Sequence, residues 1–108
     1  MAEIRVAVEG EGAVAATEAL LQIEGLAGNW APSSEEPTKE TVIATIATIV
    51  GIVGGTMAIA EQIRKWYQEY KKKQFDKKID KVLIVSRNGE RLLLEDATIE
   101  QIQRILES

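Results

Sequence analysis

Neither cysteine nor histidine occurs among the 108 residues of this chain. The absence of cysteine excludes disulfide bonds, a thiolate nucleophile and a zinc–thiolate site. The absence of histidine removes the commonest general base and the commonest ligand of transition metals. We therefore expect no bound metal and no cofactor.

The remaining groups with catalytic potential are carboxylates and serines. Glu9 with Glu11, and Glu95 with Asp96, form acidic pairs. We expect these pairs at turns and strand ends, where they lack the burial that a general acid needs. Ser33–Ser34 has no adjacent base, and the glycine clusters match neither a phosphate-binding loop nor a dinucleotide fingerprint. We therefore predict no catalytic residues and no enzymatic activity.

Charge is unevenly distributed along a chain whose net charge is −4. Residues 1–40 carry eight glutamates against Arg5 and Lys39, whereas residues 61–81 carry eight lysines and arginines against four acids. Two interpretations remain open: two solvated faces of one domain, or the Lys/Arg asymmetry of a membrane segment. The N-terminus lacks a basic region followed by an apolar one, so we expect a cytoplasmic location.

Hydrophobic periodicity and turn residues predict one α+β domain over residues 1–108. Alternation of Ile4, Val6 and Val8 with polar neighbours indicates a strand, and Asn88-Gly89 indicates a hairpin. The predicted elements are a strand over 3–9, a helix over 13–25, a loop over 26–37, a long helix over 38–74, a hairpin over 81–95 and a helix over 98–107. In an alternative, residues 28–32 form a brief edge strand.

The run "TVIATIATIVGIVGGTMAIA" at 41–60 contains no charged residue, no proline and no leucine. Its twenty residues match the length of a bilayer span, and the competing interpretation is a helix buried in a small core. Small residues recur on one side of the predicted helix and form a candidate surface for helix–helix assembly, with a GxxxG match inside it: Ala44, Thr48, Gly51, Gly55 and Ala58. Gly54 and Gly55 are a candidate hinge.

A basic and aromatic stretch, "RKWYQEYKKK", follows at 64–73. It fits a membrane interface, with aromatic rings at the headgroup level and cations toward anionic lipid. The candidate membrane-interface residues are Arg64, Lys65, Trp66, Tyr67, Tyr70, Lys71, Lys72 and Lys73. The alternative is the exposed face of a long helix. Nucleic acid is not expected as a partner, because the chain as a whole is acidic.

A simple membrane span conflicts with the flanking strands. If residues 41–60 crossed a bilayer, the strand carrying Ile4 and Val8 would be separated from the hairpin at 81–95 and left with unpaired edges. Three solutions remain open: a helix packed on the sheet, a helical hairpin bent at Gly54–Gly55, or a protein that alternates between stored and inserted states.

Three segments carry a resemblance to a known family: "EIRVAVEG", then "TVIATIATIVGIVGGTMAIA" with "RKWYQEYKKK", and finally "VLIVSRNGERLLLEDATIEQIQRILE". Their order resembles the effector-associated constant component family of bacterial conflict systems. Relatives carry a clearer second strand where this chain has "NWAPSSEEP". The resemblance implies a non-enzymatic partner of variable effectors, often encoded near trypsin-like or caspase-like peptidases, in bacterial immunity.

The sequence thus predicts a small two-layer α+β sandwich, loosely ferredoxin-like. We expect a mostly antiparallel sheet of three or four strands and one long apolar central helix. The preferred functional hypothesis is a defence component that forms homo-oligomers through the small-residue surface of 41–60 and moves to, or into, the inner membrane on activation. The alternative is a soluble adaptor or scaffold that docks an effector such as a peptidase without touching lipid.

Overall fold

The computed structural model describes residues 3–32, 44–72 and 78–107, which form five strands and three helices. The strands are β1 (Ile4–Glu9), β2 (Leu26–Pro32), β3 (Ala44–Ile52), β4 (Lys81–Val85) and β5 (Arg91–Leu93). The helices are α1 (Ala13–Leu21), α2 (Thr56–Lys71) and α3 (Ile99–Glu107). Within these residues the predicted α+β class is confirmed.

The strands form one antiparallel sheet in the order β2-β3-β1-β4-β5. Helix α1 joins β1 to β2 across the intervening β3, and α2 joins β3 to β4 across β1. This split β-α-β connectivity is the ferredoxin-like arrangement. Strand β5 and helix α3 extend it, so the described sheet has five strands, where three or four were expected.

The long helix predicted over 38–74 is wrong in its first half. Residues 44–52 form the strand β3, and the helix begins only at Thr56. Threonine, isoleucine and valine fill most of β3, and such β-branched residues favour strands because their χ1 freedom is restricted in a helix. Gly54, with a φ of 98°, lies in the turn that separates strand from helix. Residues 38–43, 73 and 74 of the prediction lie outside the described residues.

The first helix and the following loop also differ from the prediction. Helix α1 ends at Leu21 rather than at residue 25, and the chain then turns through Gly25, at a φ of 101°, before β2. Residues 26–32 then form β2, which confirms the alternative of an edge strand there and replaces a predicted loop. Gly28 is required in β2, since a Cβ at this position would overlap the carbonyl oxygen of Thr48.

The C-terminal elements agree with the prediction. Strands β4 and β5 pair as a hairpin, and the capping box of α3 is formed: the Thr98 hydroxyl accepts from the Gln101 N–H, and the Gln101 side chain accepts from the Thr98 N–H. The turn differs in detail. Only Gly89 has a positive φ, of 92°, and the Ser86 N–H donates to the Glu90 carbonyl to close a three-residue loop.

All three helices pack on one face of the sheet. The inward side chains of β1, β3 and β4 form a single buried cluster with residues of the helices, including Ile63 and Trp66 of α2. Two buried hydroxyls, those of Thr17 on α1 and Thr45 on β3, are hydrogen-bonded to each other inside this core. None of the helices in the described part of the chain combines the length and apolar character that crossing a bilayer requires.

Candidate interaction surface

The small residues predicted to form a helix–helix assembly surface do not share a helix. Ala44, Thr48 and Gly51 belong to β3, whereas Gly55 caps the N-terminus of α2 and Ala58 lies in its first turns. The prediction placed them on one side of a helix because they recur every three or four residues. That inference assumes 3.6 residues per turn, whereas side chains in a strand repeat every two residues. This prediction is therefore corrected: the GxxxG match spans a strand-to-helix turn.

The candidate hinge residues Gly54 and Gly55 lie in that turn. A Cβ at either position would meet no atom within 4 Å. Three exposed apolar side chains surround the turn in sequence: Val50, Val53 and Met57 are 61%, 77% and 51% exposed. We call these three residues the apolar tip.

The candidate membrane-interface residues divide into a buried and an exposed group. Trp66 and Tyr67 belong to the core, and the Trp66 Nε1–H donates to the Ala16 carbonyl of α1 over 2.7 Å. These two rings therefore cannot lie in a headgroup layer in this fold. Tyr70 is half-buried and packs against the core, where its ring centroid lies 6.2 Å from that of Trp66. The three aromatic residues therefore pack in or against the core and do not form the predicted row of rings at a membrane interface.

The cations of the same stretch remain at the surface. Arg64, Lys65 and Lys72 are exposed, and Lys73 lies outside the described residues. The Lys71 ammonium donates to the Tyr67 hydroxyl over 3.1 Å and lies 5.4 Å from the centre of that ring. The hydrogen bond that Lys71 donates to Tyr67 raises the pKa of Lys71 above its ordinary value of 10.5.

A different surface emerges on the face of the sheet opposite the helices, which we call the open face. The strand register places one apolar residue from each strand side by side in a line across it. We call this line the apolar row: Ala31 of β2, Ile46 of β3, Ala7 of β1, Leu83 of β4 and Leu93 of β5. At about 4.8 Å between strands, the row is about 19 Å long.

No helix of the described chain covers the apolar row. The helices contribute to one core cluster on the other face, and none of the five row residues belongs to that cluster or packs against it. Ile46 is 38% exposed and Leu93 is 44% exposed, although isoleucine and leucine are usually buried. A continuous apolar strip of this kind is typical of a surface that contacts another molecule.

Polar residues border the apolar row on both sides. On one side the register aligns Asn29, Thr48, Arg5 and Arg91, with Val85 between the two arginines. On the other side it aligns Ala44, Glu9 and Lys81. The central strand β1 therefore presents a cation, a methyl group and a carboxylate in succession. Among the described residues, neither Arg5 nor Glu9 has an ion-pair partner.

Sequence reasoning missed this surface, although one signal for it was available. In "ATIATIV" five of the seven residues are β-branched, as is typical of a strand, and "KVLIV" has the same character. What the sequence does not contain is the register that places Ile46, Ala7 and Leu83 beside one another.

Comparison with protein-family models found no matching family, and comparison with curated proteins and with solved structures found no similar protein.

Proposed function

We propose that this protein is a non-enzymatic component of a bacterial conflict system that associates with other proteins through the open face of its sheet. The single observation that carries the proposal is the apolar row, five apolar residues from five strands in one line on the open face, of which Ala31, Ile46 and Leu93 are exposed. Its polar borders fit the usual anatomy of an interface, an apolar centre within a polar rim.

Two further considerations support the proposed class. The chain has no histidine and no cysteine, which argues against the commonest acid–base and nucleophilic mechanisms. The resemblance to effector-associated constant components suggests the setting, in which a peptidase-like effector is one partner and a further copy of the chain is another. We thus assign self-association to the open face, and no longer to the small residues of 41–60.

A charge placed on the apolar row tests this proposal. Leu93→Asp should weaken association, because burying an unpaired carboxylate in an interface is unfavourable. Val14→Asp is the matched control, since Val14 lies on α1 and is 41% exposed, close to the 44% of Leu93. We expect Leu93→Asp to reduce both the association state in light scattering and the retention of a co-expressed peptidase-like effector during co-purification. Equal behaviour of the two variants in both assays would contradict the proposal.

A peripheral membrane contact is a second candidate function, and the apolar tip is the observation that favours it. Val53 is 77% exposed at a turn flanked by glycine, an arrangement that suits shallow insertion into a lipid surface. Carboxylates lie close by, because Glu107 accepts from Thr56 and Glu24 lines the groove that contains Val53. These charges oppose binding to anionic lipid.

Liposome flotation distinguishes this candidate from the first. With vesicles of neutral phosphatidylcholine, the membrane hypothesis expects flotation that Val53→Asp abolishes, and it expects weaker flotation with vesicles that contain phosphatidylserine. The interaction hypothesis expects no flotation with either composition. Flotation that survives Val53→Asp would exclude the apolar tip as the contact.

A further inference from the structure

We propose that the open face binds a second copy of this chain, with the two sheets face to face and related by a two-fold axis that runs along the apolar row. This inference rests on the proposed use of the open face as a protein-binding surface, and it names the partner and the orientation. The charges on the central strand select that orientation.

The sequence Arg5–Ala7–Glu9 on the open face of β1 is complementary to itself. Ala7 lies on the apolar row, and Arg5 and Glu9 lie about 6.6 Å from it on opposite sides, since each strand residue rises about 3.3 Å. A two-fold rotation about the row brings Arg5 of one copy opposite Glu9 of the other, and does so twice. Two ion pairs form between charges that have no ion-pair partner in the described chain.

The other axis within the sheet plane gives the opposite result. A two-fold rotation about the direction of β1 would bring Arg5 opposite Arg5, and Glu9 opposite Glu9, across the interface. Like charges opposed at an interface disfavour an arrangement, so this axis is disfavoured relative to the first. The choice between the axes follows from the two charges on β1, the central strand of the sheet.

The apolar contacts also match under the favoured axis. Because the axis runs along the row, every row residue meets its own counterpart, so that Ile46 faces Ile46 and Leu83 faces Leu83 of the second copy. Sheets packed face to face lie about 10 Å apart. At this separation the large row side chains, those of Ile46, Leu83 and Leu93, touch across the interface, and the long side chain of Arg5 reaches the opposing carboxylate.

The dimensions of the open face set the strength of the expected dimer. Five strands at about 4.8 Å, with about six residues each at 3.3 Å, give a footprint of about 24 by 20 Å. Two such faces bury about 1,000 Å², which lies at the lower end for specific association. We therefore expect a dimer that dissociates at micromolar concentrations and not a permanent one.

Charge exchange between Arg5 and Glu9, followed by sedimentation velocity over a range of concentrations, tests the proposal. The wild-type protein should dimerise reversibly. Arg5→Glu and Glu9→Arg should each raise the dissociation constant by about tenfold or more, because each places two like-charge pairs in the interface. The double variant Arg5→Glu/Glu9→Arg should recover the wild-type constant, and so should an equimolar mixture of the two single variants. Arg64→Glu on α2 is the matched control and should behave as wild type.

The single variants and the mixture separate the two axes. Under the axis along β1, the wild type, the single variants and the double variant would all oppose like charges, so their dissociation constants would be similar, and only the mixture would associate more tightly than the wild type. Single variants that dimerise as wild type, together with a mixture that dimerises more tightly, would therefore overturn the orientation. A wild-type protein that remains monomeric at the highest concentration would overturn the second copy as the partner.

A cross-linking experiment gives an independent measure of orientation, because the chain contains no native thiol. With Leu93→Cys as the only cysteine, a short bis-maleimide should join two copies under the favoured axis. Under the other axis the two thiols would be about 19 Å further apart along the row, and no product should form. Val14→Cys is the control and should give no product.

Failure of this inference is distinguishable from failure of the proposed function. If the wild-type protein is monomeric but Leu93→Asp still abolishes retention of the effector, the open face binds proteins and only the second copy is excluded. If retention is also unaffected, the open face has no role in association and both proposals fail.

Discussion

Replacing the buried threonines Thr17 and Thr45 by valine should produce strongly non-additive losses of stability. Thr17 on α1 is 0% exposed and Thr45 on β3 is 1% exposed, and their hydroxyls are hydrogen-bonded to each other. Valine has nearly the shape of threonine but lacks the hydroxyl. Each single substitution therefore leaves one buried hydroxyl without its partner, and the double substitution leaves none.

The two single variants should differ, because the remaining hydroxyls lie in different secondary structures. In Thr45→Val, the Thr17 hydroxyl can bond back to a carbonyl one turn earlier in its own helix, so we expect a loss of about 1 kcal/mol. In Thr17→Val, the Thr45 hydroxyl lies in a strand paired on both sides, and we expect about 2 kcal/mol. The double variant should lose no more than about 0.5 kcal/mol, because exchanging both partners for apolar groups of the same shape is nearly neutral.

Urea denaturation followed by tryptophan fluorescence measures all three free energies of unfolding. The single losses add to about 3 kcal/mol, so a double variant at about 0.5 kcal/mol corresponds to a coupling of about 2.5 kcal/mol. Thr48→Val is a control on the same strand, since Thr48 is half-buried on the open face and should change stability by less than about 0.5 kcal/mol. If the double variant loses as much stability as the two single variants together, the hydrogen bond between the two hydroxyls is refuted. If Thr45→Val loses more stability than Thr17→Val, the Thr17 hydroxyl does not bond to a carbonyl of its own helix.

Three further predictions test other contacts. Trp66→Phe should reduce the free energy of unfolding by about 2–3 kcal/mol, because it removes the hydrogen bond to α1 and leaves a void in the core; chemical denaturation followed by circular dichroism measures it. Gly28→Ala should prevent correct pairing of β2 with β3 and lower the melting temperature, whereas Gly51→Ala, whose Cβ would meet only one methyl group at 3.8 Å, should not. Tyr67 raises the pKa of Lys71, so the contribution of the charged Lys71 to the free energy of unfolding should be full below pH 10.5 and decrease above it. The difference in that free energy between wild type and Lys71→Met should therefore become smaller as the pH rises above 10.5. A difference that does not change with pH would contradict this.

The elements that were predictable from the sequence are those whose two sides differ in polarity. Strand β1 alternates buried Ile4, Val6 and Val8 with Arg5 and Glu9, and α3 has buried isoleucines on one side only. In both, one face meets the core and the other meets water, so the periodicity of the pattern reports the secondary structure. The β4–β5 hairpin was identified in the same way, from its turn residues and its flanking apolar runs.

Strand β3 was not predicted because its two faces have nearly the same polarity. Its buried side includes Thr45 and Ala47, and its open side includes Ile46 and Val50. With no charged residue on either side, the run has no visible period of two, and its length then suggests a helix or a membrane span. The abundance of β-branched residues was the remaining local signal, and it favoured a strand.

The apolar row could not be predicted from the sequence, for a different reason. Its five members are separated by as many as 86 positions, from Ala7 to Leu93, and each is an ordinary apolar residue in its own strand. Only the register of four strand pairs places them in one line. The same holds for the complementarity of Arg5 and Glu9, which becomes apparent only once Ala7 is known to lie at the centre of the row.

The edges of the sheet give a further reason to expect association through its face. An exposed strand edge is the usual route by which sheets join, because it offers unpaired N–H and C=O groups. Here one edge strand, β5, has only three residues, and the other, β2, is interrupted by a register shift between Ala27 and Gly28 and ends in Pro32, which has no N–H to donate. Both described edges are thus poor templates for strand addition, whereas the face retains exposed apolar residues. These edges and the apolar row favour the proposed stacking of the open face on another surface over strand addition at an edge.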